Sequence, residues 1–521
     1  MAEPPVLSSL HSTTLALPPS CVECVPGWAG WVVMGTYFLD RSADEDEEKG
    51  DEDEEEQGEG EGEDGGKRAQ KRSGSLVLAR LEEGTREITI TSTHPTPFAI
   101  FDLHFSPHST LSNTTTTPSS HLLGLASSTG SIALYAIDPS SNSVPITHLR
   151  TLELFPRTSL FTYFSWHPTI PLLAAAALAD GRVVLCDCSS SDATDDDEEE
   201  RSAGSVGRVV TLHAHSLEAW VTAFAPDGTA LYSGGDDAAL KGVGLPTVSS
   251  IFSPEDHEVT ASTYLAALSS ARENGGEEEG DEGDEDNEAD KEKETETGHT
   301  HRPIAPLWQW QDARTHDAGV TFILPLPLPS PSPSPSLSSQ TQPQPTSPNA
   351  PILPPSTLLL TGSYDESLRL LLPPAPDGLG PRRSRVLAEI ALGSGVWRVS
   401  VVNCSVAVAA DDDDDEPTTA TATVSWVLLV SCMHAGTRVV KLTGRATSAG
   451  EGEEGEREWQ WEWGFEVLAR FEEHRSMNYG SVVQPLVDGE KGNKGTGKRT
   501  VVSTSFYDRL VCVWEFESWV G

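Results

Sequence analysis

The sequence is poor in basic residues, with 35 Lys and Arg against 80 Asp and Glu and a formal net charge of −45. It contains no basic stripe, so binding to nucleic acid through phosphate contacts is excluded. More than half of the acidic residues lie in five tracts, at 44–64, 192–200, 273–296, 411–416 and 451–458. Acidic and basic residues nearly balance elsewhere, so the net charge belongs to solvated insertions and not to a folded core.

The sequence also lacks long apolar runs, a signal peptide and an even set of cysteines. No run is long enough to span a membrane, so we expect no membrane contact. The seven cysteines are scattered, and the Cys21 and Cys24 pair has no second CxxC to complete a zinc site. We therefore expect free thiols, no bound metal and a cytoplasmic protein.

A recurring hairpin organises what remains. In its clearest copy an apolar run at 358–360 leads into Thr361-Gly362-Ser363, a polar turn follows at 364–367, and an alternating strand returns at 368–371. Variants of this hairpin form seven units along the chain, which is typical of a repeat protein. The fold class predicted is all-β, a seven-bladed WD40-type β-propeller that occupies residues 10–519 as a single domain.

The two ends of the chain complement each other in this scheme. The last unit ends at Trp514-Glu515-Phe516 and lacks its outer strand, whereas the segment Leu10–Leu17 alternates and belongs to no unit. We expect the N-terminal segment to supply the missing strand, because this closure removes an open sheet edge. A ring closed in this way needs no partner for stability, so we expect a monomer.

Six insertions interrupt the predicted blades. Five are acidic and one is rich in Pro and Ser; they lie at 41–73, 189–204, 270–302, 325–356, 410–420 and 447–458. The segments 41–73, 270–302 and 325–356 are predicted to be disordered, because charge repulsion and proline both oppose sheet formation.

Four turns carry an aspartate at the same register, three residues before the first apolar residue of the returning strand. They are Asp180, Asp237, Asp365 and Asp508. A carboxylate there accepts amide protons of the turn, which predicts a structural role. His215 and His316 precede inner strands and are predicted to belong to the same hydrogen-bonded pattern.

Other polar residues in these turns are not required by the repeat. They are Asp236, Tyr364, Glu366, His434, His474, Ser476 and Tyr507. In a propeller, the hairpin turns and the loops that lead into the inner strands open on one face. We therefore expect six of these side chains, all except that of Tyr507, to converge on one rim, near the mouth of the central channel.

Several of these segments closely resemble the WD-repeat diphthine methyl ester hydrolases (the diphthamide biosynthesis protein 7, or WD repeat protein 85, family). The matching segments run in order along the chain at 17–23, 35–37, 233–237, 316–320, 361–366, 395–398, 432–436, 473–480 and 505–508. The set is more specific than any one segment, because the His-containing loop at 432–436 and the Ser-Met-Asn-Tyr-Gly loop at 476–480 are not generic to WD repeats. The fourth and fifth blades depart from the repeat pattern where Trp-Asp is expected.

The resemblance implies a specific reaction. Members of this family hydrolyse the methyl ester of a trimethylated diphthine intermediate on a histidine of translation elongation factor 2. The reaction releases methanol, needs no cofactor and prepares the side chain for amidation to diphthamide. Elongation factor 2 is then the expected partner, with other enzymes of the diphthamide pathway as further partners.

Ester hydrolysis needs a base, an attacking oxygen and donors for the oxyanion. No GxSxG motif occurs, which excludes an α/β-hydrolase arrangement. His434 or His474 is predicted as the base, and either Ser476 or a water molecule as the attacking group. Aromatic and acidic side chains suit a trimethylammonium, so Asp236, Tyr364, Glu366 and Tyr507 are predicted to bind substrate. The alternative is a non-catalytic WD-repeat scaffold or substrate receptor.

Overall fold

The computed structural model describes residues 3–40, 72–82, 84–108, 120–141, 143–189, 208–251, 259–270, 307–326, 358–374, 383–409, 421–451, 457–485 and 497–517. Most residues of the six predicted insertions lie outside these ranges. The described residues form strands and two helices, and none of these helices is long and apolar enough to cross a membrane.

Seven sheets follow one another along the chain and form the blades. Two short strands, β1 (Val6–Leu7) and β2 (His11–Thr14), precede them. Blade 1 contains β3 (Pro19–Cys24), β4 (Trp31–Thr36), β5 (Phe38–Leu39), β6 (Arg72–Leu81) and β7 (Ile88–Thr96). Blade 2 contains β8 (Ile100–Phe105), β9 (His121–Ser127), β10 (Ser131–Ile137) and β11 (Ile146–Glu153). Blade 3 contains β12 (Phe161–Trp166), β13 (Leu173–Leu178), β14 (Arg182–Asp187) and β15 (Val209–Ala214).

The other four blades repeat this order. Blade 4 contains β16 (Ala219–Phe224), β17 (Ala230–Gly235), β18 (Leu240–Gly244) and β19 (Gln309–Asp312). Blade 5 contains β20 (Val320–Leu326), β21 (Leu358–Ser363), β22 (Ser367–Leu372) and β23 (Arg385–Ala391). Blade 6 contains β24 (Arg398–Ala409), β25 (Thr421–Cys432), β26 (Gly436–Glu451) and β27 (Arg457–Phe471). Blade 7 contains β28 (Gly480–Val483), β29 (Lys498–Ser505) and β30 (Leu510–Glu517).

The first strand of each blade lies on the inside of a closed ring. Contacts join β3 to β8, β8 to β12, β12 to β16, β16 to β20, β20 to β24, β24 to β28 and β28 back to β3. The hydrophobic core lies between neighbouring sheets, where Phe322 of blade 5, for example, shares a cluster with Trp426 of blade 6. The all-β, seven-bladed propeller predicted from the sequence is therefore confirmed.

The ring is closed by the N-terminal strand. β2 pairs antiparallel with β30, from His11 opposite Val513 to Thr14 opposite Leu510. The neighbouring Leu15 is buried and donates its backbone N–H to the carbonyl of Arg509 at 2.9 Å. The prediction that the N-terminal segment supplies the missing outer strand of the last blade is thus confirmed. In addition, β1 pairs in parallel with β27 of blade 6.

Strands of blades 5 and 6 reach further into the predicted insertions than the sequence indicates. In blade 6, β26 and β27 extend into the predicted insertion 447–458, with Ser448 opposite Trp459 in the ladder. The rings of Trp461 and Trp463 stack with centroids 5.4 Å apart, and this packing favours a long twisted hairpin despite the acidic residues. In blade 5, Pro325 lies in β20 opposite Leu359, although the segment 325–356 was predicted to stay out of the sheet.

Two helices break the all-strand pattern between β18 and β19. They are α1 (Val248–Ile251) and α2 (Ala261–Ser270). Ala261, Tyr264, Leu265 and Leu268 are buried on one face of α2, and the Tyr264 hydroxyl donates to the carbonyl of Pro246 at 2.7 Å. The helix packs on the outer strands of blade 3 and covers part of its surface.

Because β2 protects the last blade, its removal should be costly. A chain without residues 1–16 should have a free energy of unfolding at least about 3 kcal/mol below that of a chain without residues 1–8, which loses β1 alone. The difference reflects the lost ladder hydrogen bonds and the exposure of Leu15. Chemical denaturation of both truncated chains measures it, and equal stabilities would contradict a closing role for β2.

Candidate functional site

The four turn aspartates accept backbone amide protons. Asp180 accepts from the N–H of Arg182 at 3.1 Å, and Asp365 accepts from Ser367 at 3.0 Å. Asp237 accepts in the same way from the N–H of Ala239 at 3.1 Å, whereas Asp508 accepts from the N–H of Arg475, in the loop before blade 7, at 3.2 Å. The structural role predicted for these carboxylates is confirmed, and they are not available as a catalytic group.

Buried histidines connect the turns to the strands. Nε2 of His215 lies 2.9 Å from Ser233 Oγ, and its Nδ1 lies 2.9 Å from Asp237. His316 places its Nδ1 3.4 Å from Asp365 in the same way. The predicted structural pattern for His215 and His316 is therefore confirmed.

His474 occupies the same position in blade 7. Its Nε2 lies 2.7 Å from Ser503 Oγ, which also accepts a hydrogen bond from Trp514 Nε1 at 3.0 Å. The side chain is buried, and burial lowers its pKa to about 4. This placement speaks against the catalytic role predicted for His474, because the imidazole is enclosed within the blade like that of His215.

Ser476 also has a structural environment. Its hydroxyl donates to Asp508 at 2.9 Å and accepts the backbone N–H of Tyr507 at 2.9 Å. The residue therefore fixes the turn that carries Tyr507. A nucleophile needs a neighbouring base, and the hydroxyl proton of Ser476 is instead held by a carboxylate that already accepts amide protons.

His434 and Glu366 are exposed turn residues. The backbone N–H of His434 donates to Ser394 at 3.2 Å, and its side chain points to solvent. Glu366 has a φ of 68°, and its carbonyl accepts the N–H of Leu392 at 2.9 Å. Neither side chain lines the cavity described next.

Aromatic side chains from six blades instead surround a cavity of about 530 Å³ at this face, called here the aromatic mouth. Its aromatic lining consists of Tyr37, Phe38, Phe101, Trp220, Tyr364, Trp397, Tyr479, Phe506 and Tyr507. Ring centroids are 4.9 Å apart between Trp397 and Tyr479, and 5.4 Å apart between Tyr479 and Phe506. Both tyrosines predicted for this face, Tyr364 and Tyr507, line the mouth.

A carboxylate lies at the edge of the mouth. Asp236 accepts a hydrogen bond from Trp220 Nε1 at 3.2 Å. Burial and the charge of Asp236 both raise the pKa of Tyr364, so its phenol stays neutral. Gly319 permits this approach, because a Cβ there would lie 2.6 Å from the Asp236 carboxylate and 3.0 Å from the Tyr364 ring. Asp236 thus adds negative charge beside the aromatic rings.

A second cavity, of about 330 Å³, lies in the channel and shares Tyr479 with the mouth. Arg398 of blade 6 reaches Asp102 of blade 2, with Nη2 2.8 Å from Oδ1. The other oxygen of Asp102 lies 2.9 Å from His104 Nε2. Burial alone would lower the pKa of His104, but the Asp102 carboxylate raises it well above the ordinary value. The channel therefore holds a group of compensated charges.

Residues 207–241 match the WD40 family (WD domain, G-beta repeat). This match includes β15 of blade 3, β16 and β17 of blade 4, the turn that carries Asp237 and the start of β18. The chain is a seven-bladed β-propeller that contains a WD40 repeat. Propellers of this type are consistent with a role in protein interaction.

Two solved structures are similar to this propeller. One is a chain in the crystal structure of the mitotic checkpoint complex, with 11% identity, a TM-score of 0.42 and coverage of 99% of this chain and 97% of the other. The second is in the crystal structure of Chaetomium thermophilum Sqt1 bound to the N-terminus of the ribosomal protein L10, with 12% identity, a TM-score of 0.40 and coverage of 96% and 97%. Similarity at this level assigns no function to the chain.

Most residues of the aromatic mouth, and all of the charged residues in the channel, were not predicted from the sequence as functional residues. Trp220, Trp397 and Tyr479 stand at or just before the innermost strands, where a large aromatic residue faces the channel end of the propeller. The segment 395–398, which is one of those that resemble the hydrolase family, contains both Trp397 and Arg398 and could have pointed to them.

The burial of His474 predicts a pH dependence of stability. Its pKa is about 4 in the folded propeller and about 6.5 in an unfolded chain. The unfolded state therefore binds more protons below pH 6.5, and this group should remove about 2 kcal/mol of stability between pH 7 and pH 5. His474→Gln does not titrate, so its free energy of unfolding should fall by about that much less over the same interval.

Denaturation at the two pH values measures this difference. His434→Gln is the matched control, because it makes the same substitution at an exposed histidine. Equal losses of stability in wild type and His474→Gln would contradict the structural assignment of His474.

Proposed function

We propose that this propeller is a diphthine methyl ester hydrolase that acts on translation elongation factor 2. The single observation that carries the proposal is the aromatic mouth, whose rings suit a trimethylammonium group. A quaternary ammonium binds to ring faces, and each such contact contributes about 2 kcal/mol when it is desolvated. Asp236 at the edge adds a favourable charge.

The size and position of the mouth support a protein substrate. A volume of about 530 Å³ lies within the range of small-molecule sites, so it accommodates one modified side chain and not a folded surface. Tyr507 is 68% exposed at the outer edge, where it is able to contact the protein that carries this side chain. The mouth thus fits a modified histidine presented on a loop.

The second candidate is a non-catalytic scaffold, and one observation favours it. Of the residues predicted as catalytic, His474 and Ser476 have structural partners, and His434 is exposed outside the mouth. A scaffold would use the same aromatic rings to bind a methylated or aromatic group without changing it. A test of turnover separates the two candidates.

Full-length protein mixed with elongation factor 2 that carries the diphthine methyl ester should reduce the mass of the factor by the difference between a methyl group and a hydrogen atom. Mass spectrometry over time measures this conversion, with heat-denatured protein as the control. Folded protein that binds the factor and leaves its mass unchanged would support the scaffold and overturn the hydrolase.

A substitution in the mouth should weaken substrate binding. Trp397 contacts Trp220, Tyr364 and Tyr479, so Trp397→Ala should raise KM by about tenfold, because about 1.4 kcal/mol of cation–π energy is lost. Trp397→Phe should have an intermediate effect. Trp461→Ala is the control, because Trp461 stacks on Trp463 in the long hairpin of blade 6. Equal KM values for the Trp397 and Trp461 variants would contradict a substrate site in the mouth.

A further inference from the structure

A pair of opposite charges crosses the channel directly below the mouth. Asp102 lies on β8 of blade 2 and Arg398 on β24 of blade 6, two blades that are not neighbours in the ring. Asp102 is 2% exposed, and the Arg398 side chain is 17% exposed. Removing a carboxylate and a guanidinium from water is costly, and pairs of this kind often contribute little net stability. The position of the pair in the channel therefore points to a functional role.

Its position is next to the aromatic rings. Phe101 and Trp397 line the mouth, and Asp102 and Arg398 are the residues that follow them in the chain. One residue of a strand rises about 3.3 Å, so the backbone of Arg398 lies one step further along the channel than that of Trp397. Tyr479 lines both cavities and joins the two spaces. A ligand whose cationic end is held by the rings therefore presents its neighbouring atoms to Arg398.

The guanidinium has capacity for a second partner. Arg398 contacts Asp102 through Nη2, and its planar group lies over the ring of Tyr163 at 4.5 Å from the centroid. A guanidinium carries five N–H donors in a fixed fork, which suits a carboxylate or an ester carbonyl. The other carboxylate oxygen of Asp102 lies 2.9 Å from His104 Nε2. The orientation of the guanidinium is thus fixed before a ligand arrives.

We propose that Arg398 binds the carboxyl end of the substrate, an ester or carboxylate attached to the carbon that carries the quaternary ammonium. This inference rests on the proposed function and deepens it. The mouth holds the ammonium, and Arg398 donates hydrogen bonds to the carbonyl oxygen. Asp102 is a positioning residue, because it orients the guanidinium without touching the substrate.

This arrangement fits the hydrolysis step. The oxygen of water forms a bond to the carbonyl carbon, and negative charge develops on the carbonyl oxygen beside Arg398. The bond from carbon to the methoxy oxygen then breaks, and methanol leaves with one proton of the water. The acid that remains ionises and releases the other proton to solvent. Donors aimed at the developing oxyanion lower the barrier of such a reaction.

Two small probes separate the carboxyl contact from the ammonium contact. Trimethylglycine carries a carboxylate next to its quaternary ammonium, whereas choline carries the same ammonium without a carboxylate. Titration of full-length protein followed by ligand-observed NMR should give a Kd for trimethylglycine about tenfold below that for choline, since a charge-assisted hydrogen bond is lost in choline. This comparison needs no variant.

Arg398→Gln should raise the Kd for trimethylglycine to that of choline and leave choline binding unchanged. In hydrolysis it should lower kcat, whereas a loss of the ammonium site alone raises KM. Arg369→Gln is the matched control, because Arg369 is a buried arginine paired with Asp365 at 2.7 Å in blade 5, away from the channel. Asp102→Asn should weaken trimethylglycine binding in the same direction as Arg398→Gln, and choline binding should be retained.

The outcomes distinguish this inference from the proposed function. Equal affinity of wild type for the two probes, or unchanged trimethylglycine binding and kcat in Arg398→Gln, would overturn the role of Arg398 and leave the aromatic mouth in place. Failure of choline to bind would overturn the ammonium site itself. Wild-type protein that binds both probes and hydrolyses no ester would overturn the hydrolase while the carboxylate contact stands.

Discussion

Closure of the ring is the constraint on which the remaining structure depends. Each of the seven innermost strands contacts the next, and β28 returns to β3. This closure holds only if the last sheet is complete, and β2 completes it by pairing with β30 from almost the opposite end of the sequence. Each sheet buries its faces against its neighbours, so a missing strand would expose an edge and the apolar surface beside it.

The same closure assembles the aromatic mouth. Tyr37 and Phe506 lie far apart in the sequence, yet their ring centroids are 6.1 Å apart because blades 7 and 1 are neighbours. Trp220 of blade 4 and Trp397 of blade 6 belong to blades that are not neighbours, yet their ring centroids lie 5.9 Å apart at the end of the channel. No single blade contains the mouth, so a site of this kind exists only in the complete propeller.

The sequence predicted the features that arise within one repeat. The turn aspartates, His215 and the donated N-terminal strand follow from alternation, register and the missing partner of the last strand, and all are confirmed. Helix α2 was not predicted, although Ala261, Tyr264, Leu265 and Leu268 have helical spacing. It ends at the start of the acidic segment 270–302, which was predicted to be disordered. The long strands of blade 6 were missed because tryptophan stacking outweighs local charge.

The candidate site was harder to predict for a physical reason. His474 stands before an inner strand as His215 does, and its burial is decided by packing against Phe471 of β27 and by its hydrogen bond with Ser503 of β29, residues that its own loop does not contain. Arg398 and Asp102 meet across the channel, a contact between residues from separate blades that no local pattern encodes. Tyr364 and Tyr507 were found because their turns expose a phenol at a position where the fold requires none.

The contact between Arg398 and Asp102 also has a consequence for the movement of a ligand along the central channel. It joins strands from separate blades across the central channel, with His104 and Tyr163 beside it. This contact narrows the channel between its aromatic end and its opposite end. A ligand that enters by the aromatic end and moves along the axis therefore meets paired charges after the aromatic rings.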